Sequence, residues 1–203
     1  MVVAGGPALG PPPGLAVDDR LVIAADGGAD RARRCGWPVH HVVGDLDSIT
    51  AATLAECRRH GALIHRHPAD KDATDLELAL DLAVAEEATD VVVVLDDGGR
   101  LDHLLASVLV LGADRYASVP ISGLVGASRV TVVRERHELA GAIDDVVSLL
   151  AVGGPALVTT EGLRYPLADD WLEPLSGRGV SNELVAAVAT VSVAEGVVIA
   201  IQP

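Results

Sequence analysis

The chain has 203 residues, enough for one large domain or two small ones. Its 15 Lys and Arg stand against 29 Asp and Glu, a net charge of −14, which excludes a protein that grips nucleic acid or anionic lipid through a basic face. Half of the residues are hydrophobic, yet there is no Phe and only two Tyr and two Trp, so a core of Val, Ala, Leu and Ile is expected.

Strand-like apolar runs occupy 1–4 and 21–25, and the Pro11-Pro12-Pro13-Gly14 segment between them reads as a stiff loop. A helix is expected at 28–35, a strand at 41–43, a helix at 50–60 and a strand at 62–65. The helix at 74–87 is the best defined. Leu76, Ala79, Leu80 and Ala83 fall at i, i+3, i+4 and i+7, and Thr74 with Glu77 makes a capping box. A strand at 91–95 and a helix at 101–112 follow. Continuous apolar strands separated by helices indicate a Rossmann-like parallel sheet with helices on both faces. From residue 118 the helical period disappears. Short Val, Thr, Ser and Leu runs at 129–134, 146–152, 156–160, 185–193 and 197–201 alternate with turn residues. That texture predicts a small antiparallel β-sandwich or barrel. The expected domains are therefore 1–118, α/β, and 119–203, β-rich.

The acid is concentrated in the first half. Residues 18–103 hold 18 acidic and 9 basic side chains, and 14 of those acids are Asp. In an open parallel sheet, ligands bind outside the carboxyl ends of the strands. Four acidic loops follow predicted strands there: Asp26-Gly27-Gly28-Ala29, Gly44-Asp45-Leu46-Asp47-Ser48, Asp70-Lys71-Asp72-Ala73-Thr74-Asp75, and Asp96-Asp97-Gly98-Gly99-Arg100-Leu101-Asp102-His103. Gathered carboxylates repel unless a cation compensates, and a Mg²⁺ whose remaining shell is phosphate and water would do so. Lys71 and Arg100 are among the few cations available to neutralise phosphate charge. Asp75 at a first helical position also suits the helix dipole, and His103 beside Asp102 is equally suited to orienting a neighbour or to capping. The other histidines lack metal-ligand spacing.

Cys35 and Cys57 form no Cys-x-x-Cys motif, the N-terminus has no secretory pattern, and the longest apolar-rich stretch, 184–194, is too short to span a bilayer. A cytoplasmic setting with reduced thiols and no membrane partner is expected.

Read in order, the loops resemble those of the thiamine pyrophosphokinase (thiamin diphosphokinase) family. The matching stretches run from Ala25 to Ala29, Gly44 to Ile49, Lys71 to Leu80 and Gly98 to His103. Gly162-Leu163-Arg164-Tyr165-Pro166-Leu167 and Gly179-Val180-Ser181-Asn182-Glu183 are similar to the family's thiamine-side motifs. The resemblance implies an α/β domain holding Mg-ATP, a β domain for thiamine, and a homodimer with active sites at the subunit interface. It implies transfer of the pyrophosphoryl group of ATP to the thiamine hydroxyl, giving AMP and thiamine diphosphate. By the same resemblance Asp45, Asp47 and Asp75 would hold Mg²⁺. Asp26, Gly27, Gly28, Asp72, Thr74 and His103 would lie around the nucleotide. Lys71 and Arg100 would face phosphate, and Asp102 the thiamine hydroxyl or the metal. Tyr165, Trp171, Ser181 and Asn182 would bind thiamine. Leu46 and Ala73 stand where the family often carries Phe, and Asp96-Asp97 where it is usually small and uncharged.

Two alternatives remain at this point. The segment from Val42 to Ser48 also resembles the strand and Asp-x-Asp nucleophile of a haloacid-dehalogenase-type phosphatase, with Asp45 as nucleophile. A non-catalytic thiamine- or nucleotide-binding module on the same scaffold is the other.

Overall fold

Uninterrupted Val, Ile and Ala runs form strands buried on both faces, and such strands build the centre of the first sheet. The computed structural model describes residues 1–6, 10–12 and 15–203, so Pro13 and Gly14 of the expected stiff loop lie outside the described residues. Its elements run β1 (Val2–Val3), β2 (Ile23–Ala25), α1 (Gly28–Arg34), β3 (His41–Gly44), α2 (Ala51–Arg59), β4 (Leu63–Arg66), α3 (Asp75–Ala85), β5 (Val91–Leu95), α4 (Leu101–Leu111) and β6 (Ile121–Val125). All six strands pair in parallel, in the order β6-β5-β1-β2-β3-β4. Val2 sits in register between Ile23 and Val93, fully buried although its strand is only two residues long.

Two apolar clusters lie under the early helices. One joins Ala24, Ala29, Val42, Ile49 and Cys57, and the other Met1, Val3, Val22, Ala32 and Val94. Helix α3 belongs to neither cluster yet packs on β1, β2 and β3, so it covers the opposite face. Its capping box forms as the sequence predicts: Thr74 accepts from the Glu77 N–H, and Glu77 accepts from the Thr74 N–H. Its buried side chains are Leu76, Ala79, Leu80 and Ala83, the four positions of the predicted stripe.

The edge pair β3–β4 carries two histidines. His41 Nδ1 and His65 Nε2 are 2.9 Å apart, with ring centroids 5.1 Å apart and planes 13° from parallel. That leaves about 1.1 Å from each centroid to its nitrogen, roughly the ring radius, so the imidazoles meet edge to edge through one N–H···N bond and are not stacked face to face.

The second half contains β7 (Ser128–Val133), β8 (Arg136–Ala140), β9 (Val146–Ala151), β10 (Ala156–Glu161), β11 (Asp170–Leu172), β12 (Asn182–Glu183), β13 (Val188–Glu195) and β14 (Val198–Gln202). They form antiparallel sheets ordered β12-β9-β14-β7 and β11-β10-β13-β8. One core fills the space between these sheets, with Val147, Leu149 and Ala200 from the first and Leu139, Val158 and Val191 from the second. The fold is thus a parallel α/β sheet followed by a β-sandwich.

The chain divides into a unit of Met1–Val110 with Val119–Ala127 and a unit of Leu111–Ser118 with Ser128–Pro203. A cut at 118/119 assigns β6 to the second half, whereas its parallel pairing with β5 keeps residues 121–125 with the first.

Candidate active site

The strand order reverses at β1. After β1 the chain builds outward through β2, β3 and β4, then returns to place β5 on the other side of β1. Ligand crevices form at such a switch point, outside the carboxyl ends of the strands. A crevice of about 1040 Å³ lies there, reached by Gly5 and Gly6 after β1, Asp26 after β2, Asp45 after β3 and Asp96 after β5. At Gly28 a Cβ would overlap the Val3 carbonyl oxygen, so only glycine lets α1 start this close to β1.

Asp26 is the buried anchor of the cluster, only 4% exposed and with a φ of +42°. Its carboxylate accepts from the Ser48 N–H and hydroxyl and from the Ile49 N–H. The Gly27 N–H donates back to the Ser48 hydroxyl oxygen at 3.0 Å. The loop after β2 thereby fixes the loop after β3. In that second loop the Asp47 N–H donates to Asp45 at 3.2 Å, and Leu46 takes a φ of +67°. One carboxylate oxygen from each of Asp26, Asp45 and Asp47 lies within 4.8 Å of the others. Hard oxygen donors at that spacing suit a divalent cation such as Mg²⁺. Their mutual repulsion is visible in Asp47, whose pKa is raised by a hydrogen bond with the Asp26 carboxyl and by the Asp45 charge.

Asp75 opens α3 next to this group. A Cβ at Gly44 would lie 3.0 Å from the Asp75 carboxyl and 3.1 Å from Asp26 Cβ, so glycine is what admits both side chains. Lys71 bridges the loops, with Nζ 3.4 Å from Asp45 Oδ2 and 3.0 Å from Asp75 Oδ1. The Asp47 N–H, and then Lys71, lower the Asp45 pKa against the cost of burial.

Several of the remaining expected residues reach the crevice. Gly27, Thr74, Arg100 and His103 line it; Asp72 is exposed and is not among the lining residues, and neither is Asp102. Arg100 forms a two-point pair with Asp102, at 3.1 and 2.6 Å, which holds the Asp102 carboxyl at about 2. Asp102 is therefore ionised and engaged at neutral pH.

Sequence reading did not single out Gly5, Gly6, Asp30 or Arg34, all of which line the crevice. Arg34 donates to the Gly6 carbonyl at 2.8 Å. Asp30 accepts from the Thr50 N–H and hydroxyl and from the Thr53 hydroxyl, tying α1 to the start of α2. Burial opposes its ionisation, but these bonds outweigh it and lower its pKa. The available signal was the Gly-Gly pair directly after the first apolar run.

In the second unit, Tyr165 and Trp171 are exposed aromatics. Asn182 is buried, and its amide is committed to the backbone of Tyr165, accepting from the N–H at 3.0 Å and donating to the carbonyl at 2.7 Å. Ser181, with a φ of +58°, donates its N–H to the Ser148 hydroxyl oxygen at 3.1 Å.

Residues 14–121 match the family described as "Thiamin pyrophosphokinase, catalytic domain", and residues 131–198 match "Thiamin pyrophosphokinase, vitamin B1 binding domain". Thiamine pyrophosphokinase of Bacillus subtilis (strain 168) is 27% identical over 215 aligned residues, covering 99% of this chain and 96% of that protein. The crystal structure of thiamine pyrophosphokinase from Bacillus subtilis superposes with a TM-score of 0.83 at 25% identity, over 99% of this chain and 96% of that one. That of thiamin pyrophosphokinase from Geobacillus thermodenitrificans gives 0.77 at 30% identity, over 99% and 95%. Both halves of the chain thus find their counterparts in one two-domain enzyme, and the chain belongs to the thiamin pyrophosphokinase family of kinases.

Proposed function

We propose that the protein transfers the pyrophosphoryl group of Mg-ATP to the hydroxyl of thiamine, releasing AMP and thiamine diphosphate. The observation that carries this reading is the convergence of Asp26, Asp45 and Asp47 beside Lys71 at the switch point of the parallel sheet. Asp26, Asp45 and Asp47 would hold Mg²⁺, with Asp75 as the adjacent carboxylate. When bound, that ion supplies charge neutralisation and polarisation of the polyphosphate.

The chain's own groups provide positioning. Asp26, fixed by Ser48 and Ile49, presents the Asp45–Asp47 loop in one arrangement. Lys71 and Arg100 face phosphate oxygens and balance the charge that moves to the leaving AMP. The thiamine oxygen forms the new bond to the β-phosphorus as the bond from that phosphorus to the α,β-bridging oxygen breaks, the bridging oxygen leaving with AMP and the hydroxyl proton passing to water. Asp102, paired with Arg100 and strongly acidic, is a poor acceptor for that proton. In the β unit, Tyr165 and Trp171 offer faces to the cationic thiazolium, Ser181 offers its hydroxyl, and Asn182 holds Tyr165. A net charge of −14 suits a cationic substrate.

The protein is proposed to act as a homodimer. Leu101, Leu105 and Leu109 recur every four residues along α4 and are 68, 54 and 56% exposed, an apolar stripe that a second copy would cover.

The deciding experiment incubates the protein with ATP, Mg²⁺ and thiamine and follows AMP and thiamine diphosphate. Thiamine-dependent AMP is expected. Its absence overturns the reading, and thiamine binding without AMP assigns a non-catalytic module. ADP as product assigns a monophosphate kinase. The family assignment removes the haloacid-dehalogenase-type alternative.

A further inference from the structure

Lys71 is the only lysine in 203 residues; every other basic side chain counted in the net charge is arginine. It lies in the loop before α3, just ahead of the Thr74 cap, so its stem is not fixed by the helix. Its side chain is 15% exposed, and its ammonium lies between Asp45 at 3.4 Å and Asp75 at 3.0 Å. Asp45 also belongs to the group of three carboxylates that converge with Asp26 and Asp47. One carboxylate is therefore shared between the ammonium and the candidate metal position.

We propose that Lys71 is the resident counter-ion of this cluster. Its ammonium neutralises Asp45 and Asp75 while no divalent cation is bound, competes with the cation for Asp45, and turns to the phosphates once the cation is in place. The inference rests on the metal–nucleotide reading above and adds an exchange step to it.

The chemistry of lysine fits such an exchange. An ammonium is a compact, strongly hydrated point charge on a flexible four-carbon stem, whereas an arginine fork would lock onto a carboxylate in a two-point pair, as Arg100 does with Asp102. A lysine amine is ordinarily charged throughout the neutral range, and carboxylates at 3.4 and 3.0 Å favour that charge. Without Lys71, Asp26, Asp45, Asp47 and Asp75 would stand near one another with no ion pair among the described residues.

The test follows Mg²⁺ binding without nucleotide by calorimetry, in the wild type and in Lys71→Met, Lys71→Arg and Asp47→Asn. Lys71→Met is expected to bind Mg²⁺ about tenfold more tightly than the wild type, because a like charge has been removed from beside the ion. Lys71→Arg, which keeps the charge and can hold a carboxylate at two points, is expected to bind Mg²⁺ no more tightly than the wild type, and binding as tight as that of Lys71→Met overturns the exchange. Equal or weaker binding by Lys71→Met overturns the exchange. A second readout needs no variant. Protein labelled at lysine Cε and Nζ gives one side-chain lysine resonance, expected to shift as Mg²⁺ saturates the site and again when a non-hydrolysable ATP analogue is added. A resonance unmoved while calorimetry records binding overturns the proposal and leaves the metal site standing. If the wild type takes up no Mg²⁺, or Asp47→Asn binds it as the wild type does, the metal reading itself fails and the exchange with it.

Discussion

Asp26 and Ser48 are joined twice: one oxygen of the Asp26 carboxylate accepts from the Ser48 N–H at 3.1 Å and from its hydroxyl at 2.7 Å. The other oxygen accepts from the Ile49 N–H at 3.2 Å, so the buried carboxylate acts as a clasp between the loops after β2 and β3. Replacing it by an amide turns an acceptor into a donor facing donors. Asp26→Asn is expected to lose about 2 kcal/mol in urea unfolding, and Ser48→Ala about 1 kcal/mol. Turnover of Asp26→Asn should fall at least tenfold, because the Asp45–Asp47 loop loses its orientation.

Asp47→Asn should behave differently. Asp47 is repelled by Asp26 and Asp45, so removing its charge relieves strain in the metal-free protein. Thermal unfolding with a chelator present should show an unchanged or slightly raised melting temperature, while the added stability from Mg²⁺ and the Mg²⁺-dependent turnover are lost. A lowered melting temperature in chelator would remove Asp47 from the repelling group.

The His41–His65 bond gives a pH signature. Burial, and then the neighbouring His65, lower the His41 pKa; His40 and Glu86 are the other titratable groups acting on it. A folded pKa below the ordinary imidazole value of about 6.5 means that the unfolded chain takes the proton more readily. The contribution is complete above that value and is lost as pH falls through it toward the folded pKa. Melting temperature should decline as pH falls from about 7 through the ordinary imidazole value of about 6.5, and His41→Leu should flatten that part of the curve.

Leu105 lies in the middle of the exposed stripe of α4, between Leu101 and Leu109. Leu105→Glu is expected to halve the mass measured by light scattering while leaving the circular dichroism unchanged. A wild type that already runs as a monomer contradicts the proposed dimer.

Local signals were legible where the residues that carry them are contiguous. The capping box of α3, its buried stripe and the apolar run of β5 were all readable, because each is set by its own periodicity. The Gly44–Ser48 motif was readable for the same reason. The Lys71–Asp45 pair was not, since it depends on β4 lying beside β3 and joins two loops. Gly5 and Gly6 escaped because their place in the crevice follows from strand order, which places β5 against β1. Strands β8, β11 and β12 carry Arg, His, Glu, Asp or Asn and bury few residues, so their pairing outweighs weak local preference.

The return of β6 to the parallel sheet bears on how the protein can be dissected. A fragment ending at residue 118 would lack Ile121–Val125 and leave one side of β5, Val-Val-Val-Val-Leu, as an open apolar edge. Such an edge is a template for intermolecular pairing and precipitation during expression. A fragment of the first unit that stays in solution would need to continue at least through residue 127, where that unit ends.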